Sequence, residues 1–185
     1  MMKNKKIREK FKSIIVICHG KSELKLIEQI GRKEYSNKKL HLITRDNGNS
    51  SIQISGLVDY LNKKLVKELN SISFDINKLK IYIVLDTDDC TEQERKMYIS
   101  KQLFDGLNEK TKKYKNCIIP IYNTKNLEEI LIKAGCKFNG NTSKAMKKEY
   151  ITRIEKLLGN IEDLTENLKK NPNTNLEILI EDLKN

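Results

Sequence analysis

The sequence has no tryptophan, and its seven tyrosines and four phenylalanines are scattered, so it offers no evident aromatic platform for stacking exposed bases. With only two prolines and eight glycines there is no Pro/Gly-rich linker, and no internal repeat is present. A chain of 185 residues is then one domain with at most a small appendage. Long apolar runs are also missing: none approaches the ~20 residues that a membrane span needs. The start, Met1-Met2-Lys3-Asn4-Lys5-Lys6, runs on into Arg8, Glu9 and Lys10 rather than an apolar core, so these residues are not expected to be a signal peptide. The four cysteines, Cys18, Cys90, Cys117 and Cys136, lie far apart without paired zinc spacing. Cys18 and Cys117 fall in or beside apolar runs, so the set reads as reduced, mostly buried thiols of a cytoplasmic protein. Of the two histidines, His41 opens a strand and reads as structural.

Acidic residues are the scarcer charge. The formal net charge is +11, and its distribution says more than its size. Residues 1–40 hold twelve basic and four acidic side chains, and residues 91–150 hold thirteen and seven. The stretches 41–90 and 151–185 are slightly acidic. Basic flanks around an acidic centre suit a polyanion held by Lys and Arg over a metal site. The plain alternative is a lysine- and asparagine-rich composition with no such meaning.

Apolar periodicity orders the rest. Residues 13–18, 40–44, 81–85 and 117–122 read as strands. Pro120 predicts an edge position or a strand end for the last of them. Helices are predicted over 23–30 with Ser22 as cap, 51–69, 92–110 with Thr91 and Glu94 as a capping box, 127–134 and 143–158, the last two stopped by Gly135 and Gly159. Two amphipathic segments, 161–169 and 175–183, complete the chain, and the first twelve residues read as a polar, basic arm or short helix. Alternating strands and helices predict an α/β fold: a mostly parallel, Rossmann-like four-stranded sheet flanked by helices, over residues 1–140. A helical C-terminal extension, 141–185, packs on it.

The most informative stretch is Ile81-Tyr82-Ile83-Val84-Leu85-Asp86-Thr87-Asp88-Asp89. Five apolar residues make a strand buried on both faces. The acids come at the carboxyl end, where open α/β sheets bind ligands. Asp86 and Asp88, two apart, share a direction if the chain stays extended. With Asp89 they are candidate ligands for Mg2+ or Mn2+, since Mg2+ takes one or two carboxylates and keeps several waters. The alternative is a turn and helix cap, weakened because Thr91 and Glu94 already supply a cap. Two other turns gather polar residues on the same edge: His19-Gly20-Lys21-Ser22-Glu23 and 123–129. Lys21 beside Gly20 is a candidate phosphate contact, although the triplet is no P-loop. Gly48 with Ser50 and Ser51 offers a weaker phosphate cradle, with an ordinary turn as its alternative.

In order and spacing these motifs resemble the TOPRIM domain of primases, topoisomerases and related nucleases. That family pairs a strand ending in Glu-Gly with a later strand ending in Asp-x-Asp. Residues 14–18 followed by His19-Gly20-Lys21-Ser22-Glu23, and 81–85 followed by Asp86-Thr87-Asp88, match in turn. More narrowly the chain is similar to the stand-alone RloB and AbiL-type proteins of bacterial phage-defence loci, whose later Asn…Glu pair corresponds to Asn126 and Glu128. The resemblance covers about residues 13–135. It implies a TOPRIM-like fold and a divalent-metal-dependent nuclease acting on DNA or RNA, with Asp86 and Asp88 holding metal and Asn126 and Glu128 supporting them. It also implies a partner ATPase encoded nearby; a homodimer is a further expectation.

One position departs. The family's first glutamate is His19 here. Three readings stay open: His19 as a substituted catalytic base, a metal-binding but inactive scaffold, or a turn residue with Glu23 carrying the first-motif carboxylate. Two functions result: a metal-dependent phosphodiesterase with His19, Glu23, Asp86 and Asp88 at its centre and Gly20 and Lys21 against phosphate, or a non-catalytic module that binds nucleic acid or a partner ATPase.

Overall fold

The computed structural model describes residues 12–139 and 143–185; the predicted N-terminal arm lies almost wholly outside them. Four strands form one sheet: β1 (Ile14–Cys18), β2 (Leu40–Ile43), β3 (Lys80–Asp86) and β4 (Ile118–Asn123). All pair in parallel, in the order β2-β1-β3-β4. The sheet is therefore wholly parallel and Rossmann-like, and Pro120 is indeed on an edge strand. The order reverses between β1 and β3. That reversal opens a crevice at the carboxyl edge, which is where doubly wound sheets bind ligands.

Strand alternation sorts the core into two layers. Ile15, Ile17, Ile81, Ile83 and Leu85 face one side. Leu57, Leu61, Leu65 and Leu69 of α2 (Ile54–Asn70) cover them, with Tyr98 of α3 (Glu92–Ile99) and Phe104. Ile14, Val16, Cys18, Tyr82 and Val84 face the other side. They meet α1 (Lys21–Glu28), α5 (Leu127–Lys133), α6 (Ser143–Leu158), α7 (Ile161–Lys169) and α8 (Leu176–Lys184). Residues of the C-terminal helices, among them Tyr150, Leu164, Leu179 and Leu183, belong to the same apolar cluster as β1 and β3.

Predicted boundaries move around α1 and α3, where contacts made in the fold override the local signals. Ser22 does not cap its helix. Gly20 does, and Ser22 lies inside the first turn with its hydroxyl turned to Glu128. After Glu28 the helix widens into a π segment, Gln29–Glu34. Within it a Cβ on Gly31 would stand 2.6 Å from the Leu40 side chain and 3.1 Å from that of Leu183, so a larger residue there would force these leucines to shift. The predicted helix over 92–110 is broken. Thr91 and Glu94 form the expected capping box, but α3 ends at Ile99. Lys101 turns left-handed (φ 64°), followed by a 3-10 turn, Gln102–Gly106, and by α4 (Glu109–Lys112). The break lets Phe104 and Leu107 reach the core beneath α2, which a straight helix with so charged a first half would not do.

Candidate active site at the carboxyl edge

The edge is built around Asp86, the last residue of β3. Its register partner on β4 is Asn123. Asn123 Nδ2 donates to Asp86 Oδ1 at 3.0 Å, and the Leu127 N–H, at the start of α5, points to Asp86 Oδ2 at 3.4 Å. From the other neighbour, the Asp86 backbone N–H donates to His19 Nδ1 at 3.2 Å. His19 comes directly after β1, so this bond bridges the crevice where the strand order reverses.

Because Nδ1 accepts this hydrogen bond, the histidine carries its own proton on Nε2. In this geometry the free face of the ring is a donor, not a base. The His19 carbonyl accepts the Ile52 N–H at 3.1 Å. After that contact Gln53 is extended and α2 starts at Ile54, later than the expected residue 51.

Glu23 lies behind Asp86. It is buried in the first turn of α1, and its Oε2 accepts the Gly20 N–H at 2.9 Å, an ordinary capping contact. It does more than cap. Burial, then the Glu23 charge, push the Asp86 carboxyl up to about 7; the Asn123 bond and His19 oppose this, and Asp88 adds to it. Three carboxylates thus share one edge: Asp86 half-buried, Glu23 buried and Asp88 exposed.

The turn that carries them is locked from beneath. Thr87 N–H and Thr87 Oγ1 both donate to the Asn123 carbonyl, at 2.7 and 2.9 Å. Arg95 of α3 donates to Thr87 Oγ1 at 3.1 Å and to the Thr87 carbonyl at 2.6 Å. Asp89 is exposed and accepts from Gln53 at 3.5 Å. Lys21 is exposed on the first residue of α1, its backbone covered by Gly48, where a Cβ would come within 3.2 Å of Lys21 Cα. The residues 46–50 form a tight left-handed turn closed by Ser50 Oγ on Asp46, and the next helix begins only at Ile54, so no helix end stands at Ser51.

Asn126 and Glu128 flank Leu127, whose N–H points to Asp86, but their own side chains bond elsewhere. Asn126 caps α5 through the Glu129 N–H (3.0 Å). Glu128 is buried and accepts from Ser22 Oγ at 2.8 Å. Tyr150 of α6 comes close to Glu128 and Glu23, whose charges it feels; its fully buried hydroxyl has no hydrogen-bond partner among the described residues. Sequence reading placed Asn123 on this edge, as the first residue of the polar turn 123–129, but gave it no role beside Asp86, and it missed Arg95 and Tyr150. The role of Asn123 was open to inference from its place at the end of the strand that neighbours β3, whereas Arg95 and Tyr150 leave no sequence signal.

Whether the edge suits a metal can be judged from its donors. Among the described residues, no three His, Cys, Asp or Glu side chains converge into a protein-built cage. The chemistry still fits Mg2+ or Mn2+, which need only one or two carboxylates and otherwise keep water. Asp86 and Asp88 would be those ligands, with Asp89 on the same turn. A cation would also relieve the like charge that pushes Asp86 towards protonation.

No family model, curated protein or solved structure matches this chain.

Proposed function

We propose that the chain is a divalent-cation-dependent phosphodiesterase of the TOPRIM type, acting on DNA or RNA in anti-phage defence. The observation that carries the proposal is Asp86 at the sheet's point of reversal, bonded to His19 and Asn123, where burial and the charges of Glu23 and Asp88 push its carboxyl up to about 7. Such a carboxyl at a ligand-binding edge is a mark of a working site. The net charge of +11 supports a polyanionic substrate.

Asp86 and Asp88 would hold the cation, which supplies charge neutralisation at phosphorus and a more acidic water. The chain's own groups do the rest. Lys21, exposed at the start of α1, offsets charge on a non-bridging phosphate oxygen. His19, with its proton on Nε2, offers a hydrogen bond to the charge developing on the leaving oxygen, which takes its proton from water. Gly20 and Glu23 fix the turn that carries both.

One observation favours the second reading, a non-catalytic module that binds nucleic acid or an ATPase. Where the resembled family has a carboxylate, His19 gives its only acceptor nitrogen to a backbone N–H.

A nuclease assay with Mg2+ and Mn2+ on DNA, bulk RNA and tRNA separates the two. An enzyme cleaves one of them, loses cleavage in Asp86→Asn, and weakens in His19→Ala. A wild type that is inactive throughout, with activity gained in His19→Glu, is the binding module. If neither protein cleaves and neither cation raises Tm, the cation-site reading is wrong.

A further inference from the structure

The tail beyond residue 141 looks like an appendage in the sequence, yet residues 173–175 reach the site. They lie along the outer edge of β4. The Thr124 N–H donates to the Asn173 carbonyl at 2.8 Å, and Thr124 Oγ1 to Asn173 Oδ1 at 2.8 Å. The Asn175 side chain replaces a missing fifth strand: its Oδ1 accepts the Tyr122 N–H at 2.9 Å, and its Nδ2 donates to the Pro120 carbonyl at 3.0 Å. Between them Thr174 is buried, bridged to Asn123.

Counting protons fixes the direction of each bond from Thr174 to Asp86. The Leu176 N–H donates to Thr174 Oγ1 at 3.1 Å. The single hydroxyl proton of Thr174 is then free to donate, and it goes to Asn123 Oδ1 at 2.7 Å. With Oδ1 so engaged, Asn123 must present Nδ2 to Asp86, where it donates at 3.0 Å. Turning the amide over would leave the Thr174 proton unsatisfied in a buried place and set a carbonyl oxygen against the Asp86 carboxylate. The Asn123 backbone cannot yield either, since its carbonyl takes two bonds from Thr87.

We propose that Thr174 is a positioning residue of the site: through the Asn123 amide it fixes the orientation of the Asp86 carboxyl, whose Oδ1 accepts from Asn123 Nδ2. Residues 173–175, anchored by the buried Leu176, Leu179, Ile180 and Leu183 of α8, are thus part of the site and not an accessory. The orientation stands on the hydrogen bonds alone. Its use in holding a cation rests on the function proposed above.

Three proteins test this: wild type, Thr174→Val, which keeps the shape and deletes the hydroxyl, and Thr174→Ser, which restores it. Two readouts are taken, hydrogen exchange of the Asn123 side-chain amide by NMR on cation-free protein, and Mn2+ affinity by calorimetry. We expect a slowly exchanging Asn123 amide in wild type and the serine variant, and fast exchange in the valine variant. Mn2+ affinity falls about tenfold in the valine variant and recovers with serine, the scale seen when partners of metal ligands are removed. Unchanged exchange in the folded valine variant overturns the proposal. Should that variant not fold, the wild type decides alone, because an Asn123 amide exchanging like an exposed one is equally fatal. If the exchange contrast holds and wild type binds no Mn2+, the positioning stands and the cation reading fails.

Discussion

Asp86 carries the largest electrostatic cost at this edge. Burial first, and Glu23 second, raise it from an ordinary 3.8 to about 7. A carboxyl raised on folding binds its proton more tightly in the native state than in the unfolded chain. Its contribution to stability is therefore present below the ordinary value and is lost as pH rises through about 7. The full loss is on the order of 4 kcal/mol at 1.36 kcal/mol per unit. In cation-free buffer, denaturant unfolding should show stability falling between pH 4 and 7.5. Asp86→Asn should flatten that fall and be more stable than wild type at pH 8, by about 1–3 kcal/mol, since the amide still serves one of the two donors that Asp86 now satisfies. A wild type whose stability is level across this range would mean that Asp86 is not perturbed. If Asp86 serves the proposed site, the trade is the familiar one of function kept at the expense of stability.

At the scale of elements, the broken segment after α3 is where local sequence and tertiary demand conflict. Lys101 adopts φ 64° so that Phe104 can turn into the core. A non-glycine residue there costs about 1–2 kcal/mol, partly offset by the flexibility glycine adds to the unfolded chain. Lys101→Gly should stabilise the protein by about 0.5–1 kcal/mol, while Lys101→Ala should change little, because alanine meets the same strain. Urea midpoints measure both, and a glycine variant no more stable than the alanine one would place the cause elsewhere. The caps behave differently. Thr91 and Glu94 close α3 as their spacing requires, and Gly135 (φ 99°) and Gly159 (φ 58°) end their helices as glycine ends helices generally. Signals within four residues were legible; breaks imposed by distant side chains were not.

For the whole molecule, the excess of Lys and Arg makes a quantitative demand. If the proposed substrate is nucleic acid, log affinity should fall linearly with log salt, with a slope of about 0.9 per phosphate neutralised on a duplex. Lys21→Ala should weaken binding evenly across sequences and reduce the slope by about one. Binding indifferent to salt would point to a protein partner instead. The sequence by itself determined the strands, the parallel α/β class and the polar turns after β1, β3 and β4. Each of these depends on apolar period, on β-branched runs or on short-range capping, all readable along the chain. It also placed Asp86 and Asp88 at a strand end. Only the tertiary structure decided which turns touch. The strand order puts His19 and Asn123 on either side of Asp86, brings Glu23 close enough to raise it, and turns Asp89 towards Gln53. Thr174 joins that set from 51 residues beyond Asn123. Bonds between residues so far apart leave no period in the sequence, because they arise from how the sheet is wound and from what α8 must bury to hold its edge.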